Sequence, residues 1–300
     1  MSIGREGQRL AMTAVRVTAE GRWSAESSAG AVRAAATRYI HKHPVAAVET
    51  AGAQLVLGFR AIQFLCRDVV ARRFPWREFV HQGAFMAGTA VLPTLLVAIP
   101  VGVTLSIQFS LLASQVGASS MAGGASGLAV VRQGASLVAA IMMASAVGSA
   151  VCADLGSRTM REEIDALEVM GISTVRRLIA PRLAAAVVVA VGLTGTTCFA
   201  GFSAAYLFNV YVQHGSPGSF VSTFASFATV DDLVLALFKA VLFGVLVAVV
   251  ACQKGLSVRG GPAGVADAVN ATVVESILAL AVMNVGITQA YVTFFPRHGL

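Results

Sequence analysis

The chain has 300 residues, of which 56% are hydrophobic and only 12% are charged, with a formal net charge of +7. Soluble domains are about 45–50% apolar and about 25% charged. This balance excludes a disordered chain, a secreted disulfide scaffold and most cytosolic enzymes, and it indicates an integral membrane protein. The basic excess gives no reason to expect nucleic acid, because in a membrane protein the positions of the positive charges carry the information.

The N-terminal 82 residues contain no stretch that is both apolar and long enough to be a clear span. Residues 1–40 are predicted to be a cytoplasmic extension that could be partly disordered, without a signal peptide. Residues 41–82 are predicted to form interfacial amphipathic helices, because apolar residues recur there at helical spacing: Leu55, Phe59, Ile62, Cys66 and Val69. The alternative is a sixth span, which would require burial of Arg60, Arg67 and Asp68.

Five later stretches are long enough to cross a hydrocarbon core, which needs about 20 apolar helical residues. They are residues 85–112, 128–153, 178–210, 233–251 and 268–294. Residues 83–300 are therefore predicted to be a five-span domain, and the whole chain an all-α integral membrane protein. Pro93 and Pro100 fall within the first span and predict a kink there.

The distribution of basic residues predicts the orientation. Twelve Arg or Lys lie in residues 1–80, five in 154–182 and two in 252–268, whereas residues 113–127 and 211–232 contain none. The positive-inside rule then places the three basic regions, including the N-terminus, in the cytoplasm and the C-terminus outside.

The loop between the second and third spans is predicted to carry a short helix over residues 157–171, ended by Gly171. Met160, Ile164 and Leu167 would share one face. The rest is acidic through Glu162, Glu163, Asp165 and Glu168. An acidic helix with an apolar stripe could dock on a partner protein, or it could be a solvated loop helix without a partner.

Four polar residues stand out within or near the spans: Arg132, Gln133, Lys239 and Glu275. Such residues usually face a cavity or a polar partner. They could form a polar seam near a substrate path or a subunit interface. They could instead pair internally, for example Glu275 with Lys239, and fix helix register.

The sequence contains no residue pattern typical of a catalytic or metal site. The chain has no G-x-x-x-x-G-K-[ST] loop for ATP phosphates, no H-E-x-x-H and no G-x-S-x-G, and its four cysteines form no CxxC pair. We therefore expect no enzyme activity, no metal and no cofactor bound by this chain.

The loop motif resembles the signature of the MlaE/YrbE permease family. The matching residues are Glu162, Glu163, Ile164, Asp165, Ala166, Leu167 and Glu168, followed by Val169-Met170-Gly171 and Pro181-Arg182. Residues 162–168, together with Arg161, are the candidate contacts for a coupled ATPase. Further stretches resemble the actinobacterial YrbE branch associated with Mce proteins, notably Gln82-Gly83-Ala84-Phe85, Gln253-Lys254-Gly255-Leu256 and Gly260-Gly261-Pro262-Ala263-Gly264-Val265. The ending Phe295-Pro296-Arg297 is similar to that of B-type YrbE subunits. The resemblance covers about residues 45–300.

This resemblance implies an MlaE-like fold and a lipid-transport role in the bacterial inner membrane. The 157–171 helix would be the coupling helix that contacts a dimer of separate ATPases, which use ATP and Mg²⁺. The other implied partners are a paralogous A-type YrbE permease, a hexamer of Mce proteins and a lipid, which would be a fatty acid, sterol or phospholipid. The first and fifth spans would line the lipid cavity, with candidate contacts at Leu96, Ile99, Pro100 and Val103.

One position departs from the family pattern. Many MlaE relatives carry Arg-Glu at the start of the second span, where this chain has Arg132-Gln133. A partner subunit could supply the missing acid. Two other functions stay open at this point: an ion-coupled secondary transporter that uses Glu275 and Lys239, and a membrane scaffold that transports nothing.

Overall fold

The computed structural model describes residues 50, 52–68, 70–71, 74–117 and 122–294. The chain divides into two compact units, Met1–Ala53 and Gln54–Leu300. The predictions made for residues 1–40, and for the interfacial segment up to residue 49, lie outside the described residues. All five predicted spans belong to the second unit.

Within the described ranges the second unit is built from helices, and no strand occurs. Residues 52–68 are helical, and the part in this unit, 54–68, is named α1. The others are α2 (Trp76–Gln115), α3 (Ala122 to Met160), α4 (Glu163–Val169), α5 (Val175 to Tyr211), α6 (Pro217–Phe227), α7 (Val230–Leu256) and α8 (Gly261–Phe294). The predicted all-α class is confirmed.

Five of these helices, α2, α3, α5, α7 and α8, are long and apolar enough to cross a membrane. They coincide with the five predicted spans and extend past them at most ends, because hydropathy marks only the part that lies in hydrocarbon. α2 is helical without interruption through Pro93 and Pro100. The kink expected there stays a prediction.

α3 and α5 are each continuous but contain π-helical turns. In α3 the pieces are Ala122–Ala129, Val130–Gly134, Ala135–Met142, Met143–Gly148 and Ser149–Met160, of which the second and fourth are π-helical. In α5 the first turn, Val175–Ile179, is π-helical and leads into Ala180–Tyr211. Such turns hold one extra residue and are often found at functional sites.

The core lies among α3, α5 and α7. In the most apolar window of each span, 61% of α3, 44% of α5 and 50% of α7 is buried, against 28% of α2 and 22% of α8. Small and branched residues fill this core, for example Val147, Ala186 and Val247. Because α2 and α8 leave most of their apolar surface uncovered, they are the spans with the most surface free for lipid or for another subunit.

α2 and α5 approach each other closely at a pair of glycines. A Cβ added to Gly102 would lie 2.3 Å from the Gly201 carbonyl oxygen and 2.9 Å from its Cα. Membrane helices use small residues in this way to bring their backbones together.

α1 packs on the protein through small residues. Ala61 is buried, and a Cβ at Gly58 would meet Val249 at 3.1 Å. Leu55 and Phe59 are 75% and 64% exposed. The described part of the predicted apolar stripe, from Leu55 to Cys66, therefore points away from the protein, as expected for a helix that rests in lipid.

The chain order fixes which ends of the helices share a face of the membrane. α4 connects the end of α3 to the start of α5, and the α7–α8 connection lies on the same face, which we name the α4 face. α6 and the start of α7 lie on the opposite face. The assignment of the α4 face to the cytoplasm stays a prediction from the charge distribution.

Candidate functional site

The predicted helix over residues 157–171 is in fact two helical segments. Ser157 to Met160 is the end of α3, and α4 begins only at Glu163. Between them Glu162 adopts a left-handed conformation with φ 59°, which ends the first helix, and its carbonyl accepts from the Ala166 N–H to start the second. The prediction was wrong here because neither Gly nor Pro marks the break.

The break changes which apolar residues of α4 are free. Ile164 is buried and Leu167 is half-buried, so the stripe expected to be free for docking mainly packs against the protein. Val169 and Met170, at the far end of α4, are instead 89% and 65% exposed. The prediction from sequence assigned no docking role to these two, although apolar residues directly after an acidic run were a usable signal.

The carboxylates of α4 and its N-cap divide into two groups. Glu163 pairs with Arg161 at 2.9 Å and lies 4.0 Å from Arg158, and Glu168 accepts from the Thr174 hydroxyl at 3.3 Å. Glu162 and Asp165 form no ion pair with the described residues. These two acids are therefore available to a basic partner.

A network of polar side chains continues from α4 into the base of the spans. Arg158 Nε donates to Asp154 Oδ1 at 3.3 Å, and the other oxygen of Asp154 accepts from Arg182 Nη2. Arg182 Nε donates to Gln82 Oε1 at 3.2 Å, and Gln82 in turn donates to Glu78 at 2.8 Å. We name the set Glu78, Gln82, Asp154, Arg158, Glu163 and Arg182 the α4 network.

A groove of about 460 Å³ lies beside this network. It is bounded by the first turns of α2, by α4 and by the first turn of α5, with Glu78, His81, Ala166, Met170 and Arg177 in its walls. The α4 face therefore presents a mixed charged and apolar surface around a concave centre, a surface suited to a protein partner.

A second contact on this face ties α1 to α5. Asp68 is 4% exposed, and Arg176 binds both of its oxygens at 2.6 and 2.9 Å. From the sequence, the cost of burying Asp68 was one argument against a sixth span. The structure buries this acid at a helix junction instead, where the guanidinium offsets its desolvation.

The Arg132–Gln133 pair lies in the first π-helical turn of α3. Arg132 binds Asp232 through two hydrogen bonds, at 2.8 and 3.2 Å, and Asp232 also caps the start of α7 through Thr229. The acid that faces Arg132 here, Asp232, belongs to the same chain, and an acid from a partner subunit at the position of Gln133 stays a prediction. Gln133 Oε1 is buried and has no hydrogen-bond partner among the described residues.

Glu275 and Lys239 do not pair, so this predicted example of internal pairing was wrong. Lys239 is fully buried and donates to Thr288 at 2.7 Å. Glu275 pairs with Lys254 at 2.7 Å and accepts from Gln54. Since 13 residues of α8 separate Glu275 from Thr288, the two charges lie about 20 Å apart along the helix.

These partners also correct the depth of Glu275. Lys254 is two residues from the end of α7 on the α4 face, so Glu275 lies level with the end of a span and not in the middle of the membrane. Sequence counting missed this because α8 begins seven residues before the predicted fifth span.

The four residues proposed to contact substrate lie along the outer side of α2. Leu96, Ile99 and Pro100 are exposed and Val103 is half-buried. On α8 an open depression of about 540 Å³ is lined by Leu278, Ala279, Val282, Met283 and the stem of Glu275. Both surfaces are apolar, as a surface for acyl chains or for another span must be.

In the part of the chain that the structure describes, no group of three or more His, Cys, Asp or Glu residues is placed to hold a metal ion. The described residues form a concave surface of mixed charged and apolar character on the α4 face, and apolar surfaces on two spans.

Comparison with known proteins gives consistent results. Residues 79–290 match the family model for the permease MlaE. Over 231 residues the chain is 28% identical to a probable ABC transporter permease protein of Synechocystis, covering 77% of this chain and 88% of that one. It is 21% identical over 250 residues to a probable ABC transporter permease protein of Rickettsia typhi, covering 83% and 95%. It is 26% identical over 224 residues to the chloroplastic protein trigalactosyldiacylglycerol 1 of Arabidopsis thaliana, covering 73% of this chain and 64% of that protein.

Proposed function

We propose that this chain is the lipid-conducting permease of a multi-subunit ABC-type transporter. The premise is that the chain belongs to the MlaE permease family, whose model matches residues 79–290. In this proposal the chain binds no nucleotide. A separate ATPase dimer uses ATP and Mg²⁺, and this chain converts the motion of that dimer into movement of its spans.

The observation that carries the proposal is the geometry of α4. A seven-residue helix projects between two spans, beside a concave surface and with two exposed apolar residues at its end. A groove on a partner could take Val169 and Met170, while Arg or Lys at its rim pairs with Glu162 and Asp165. This chemistry suits the membrane-facing surface of an ATPase.

Two observations support a lipid as the substrate. α2 and α8 leave most of their apolar surface uncovered, and one relative, from Arabidopsis thaliana, is named for a diacylglycerol lipid. We propose that the uncovered surfaces of α2 and α8, with Leu96, Ile99, Pro100 and Val103 on α2, face a lipid cavity shared with a second permease. The substrate would be a fatty acid, a sterol or a phospholipid.

The motifs similar to the YrbE branch extend the proposal to the remaining partners. The second permease would be an A-type YrbE paralogue, and a hexamer of Mce proteins would continue the lipid path on the face opposite α4. The complex would lie in a bacterial inner membrane with the α4 face in the cytoplasm, as the basic residues predict.

Charge reversal on α4 tests the proposal. Asp165→Lys places a cation where the ATPase must present one, and we expect the amount of ATPase that co-purifies with this chain to fall about tenfold, the loss of about 1.4 kcal/mol. Asp165 is the best choice because it has no ion pair among the described residues, whereas Glu163→Lys would also break the pair with Arg161.

Asp231→Lys is the matched control. Asp231 is also an exposed carboxylate, but it lies in the first turn of α7, on the face opposite α4. It should leave ATPase association unchanged. If Asp165→Lys also retains the ATPase and lipid uptake by the cells, α4 is not the docking element and the proposal fails.

A further inference from the structure

Arg182 is the largest side chain that the described fold buries completely. It is 1% exposed, although it carries a permanent charge at the start of a span. In the sequence it stands out only as part of the Pro181-Arg182 motif, to which no role was assigned. A buried guanidinium is costly to desolvate, so it is retained only where its partners hold it.

The partners of Arg182 come from two other spans. Asp154 lies near the end of α3 and Gln82 in the second turn of α2, and both bind the guanidinium directly. Arg182 itself lies on α5. One side chain therefore ties together the α4-face ends of three spans. Arg182 Nη1 has no hydrogen-bond partner among the described residues, so no further described group shares this task.

Asp154 also faces α4. Its second oxygen accepts from Arg158, whose guanidinium lies 4.0 Å from Glu163 at the start of α4. The same carboxylate is thus shared between an α4-side arginine, which is partly exposed, and the buried arginine of α5. A shift of α4 that moves Arg158 also alters the position of Asp154. Asp154 is the only acid that the described residues supply to Arg182, so Arg182 is affected as well.

The chain connection gives α4 a second route to the same residue. The π-helical turn Val175–Ile179 lies between α4 and Arg182. Such turns hold one extra residue and are often found at functional sites. Because only a short connection joins α4 to this turn, a shift of α4 also moves the start of α5, and the ion pair determines whether α3 and α2 follow too.

We propose that Arg182 is a positioning residue that transmits displacement of α4 to the spans. The proposal rests on the proposed function, since it requires an ATPase that moves α4. Arg182 contacts neither nucleotide nor lipid in this account. It acts by holding Asp154 and Gln82, so that α2, α3 and α5 move together with α4 instead of α4 moving alone.

The test is hydrogen–deuterium exchange of the complete complex, purified through this chain, with and without Mg²⁺ and a non-hydrolysable ATP analogue. In the wild type the nucleotide should change exchange in α4, residues 161–172, and also in span segments 149–160 and 180–190. In Arg182→Gln the change in α4 should persist and the change in the two span segments should fall about fivefold, within the range of single substitutions in coupling networks. Arg182→Lys, which keeps the charge, should recover part of it.

Arg132→Gln is the matched control. It breaks another guanidinium–carboxylate pair between two spans, the one with Asp232, which lies on the face opposite α4 and outside both routes from α4. It should lower stability and leave the nucleotide response of the spans intact. If Arg182→Gln does not fold, Asp154→Asn replaces it, since Asp154 is partly exposed and asparagine keeps its shape.

The outcomes separate the two proposals. No nucleotide response in wild-type α4 overturns the proposed function, and this inference with it. If the wild type responds, and the spans of Arg182→Gln (or of Asp154→Asn in its place) respond to nucleotide as strongly as those of the wild type, this inference alone is overturned. An equal loss in Arg132→Gln, or loss of the ATPase from the variant complex, also overturns it, because either result makes Arg182 merely structural.

Discussion

Alanine at Gly102 should destabilise the protein, because this position has no room for a side chain. The new methyl group would lie 2.3 Å from the Gly201 carbonyl oxygen, whereas ordinary contacts begin at 3.4 Å. α2 and α5 would have to separate by about 1 Å at this point, and overpacking of this kind costs about 1–3 kcal/mol.

Gly88→Ala is the internal reference for this experiment. Gly88 lies on the same helix, and nothing among the described residues lies within 4 Å of an added Cβ. Both variants gain about 1 kcal/mol from the better helix propensity of alanine, so the difference between them isolates the clash. At about 2–4 °C per kcal/mol for a chain of this size, Gly102→Ala should unfold about 2–12 °C below Gly88→Ala.

Thermal unfolding in detergent can be followed with a dye that fluoresces on reaction with thiols. Cys152 and Cys252 are fully buried and should become reactive only when the spans separate, while the exposed Cys66 sets the starting signal. If Gly102→Ala unfolds at the same temperature as Gly88→Ala or above it, the two backbones are not in contact. The close α2–α5 interface would then be refuted.

Three further predictions concern buried polar groups and thiols. Arg132→Gln leaves the buried carboxylate of Asp232 without its guanidinium, so the free energy of unfolding should fall by about 3 kcal/mol in the same assay. An unchanged unfolding midpoint would show that the pair is not formed. Lys239→Met should keep the unfolding temperature within a few degrees, because an apolar side chain of similar length replaces a buried ammonium group held only by Thr288 among the described residues; a large loss of stability would contradict this. In folded protein, a maleimide should modify Cys66 faster than the buried thiols of α3 and α7, and mass spectrometry of the labelled peptides gives the order.

The spans can be predicted from the sequence because each segment that crosses the bilayer must be apolar and helical by itself. A helix that crosses hydrocarbon must be apolar over about 20 residues, whatever its neighbours are. Hydropathy therefore located all five spans of the described chain. The acidic run with its apolar period likewise predicted a short helix in the loop between α3 and α5.

The details of that loop could not be predicted in the same way. The helical period runs through Met160, Ile164 and Leu167 without interruption, yet Glu162 turns into the left-handed region and separates the first of these from the other two. Which side of α4 packs inward depends on the direction in which α5 starts, and no local pattern encodes this direction. Val169 and Met170 are exposed for the same reason.

The ion pairs illustrate the same division. A sequence shows that a charge within or near a span needs a partner, because an uncompensated charge is costly there. It does not show which partner, since Arg132 with Asp232, Arg182 with Asp154 and Glu275 with Lys254 are separated by up to 100 residues.

The sequence by itself determined the class, the number of spans and the loop that carries the acidic helix, because these depend on the transfer of single segments between water and lipid. The tertiary structure alone decided the pairing of Glu275 with Lys254, the burial of Arg182 and its link through Asp154 towards α4. These depend on the rotation and depth of each helix relative to the others, which is set by the close packing of small residues such as Gly102 against Gly201.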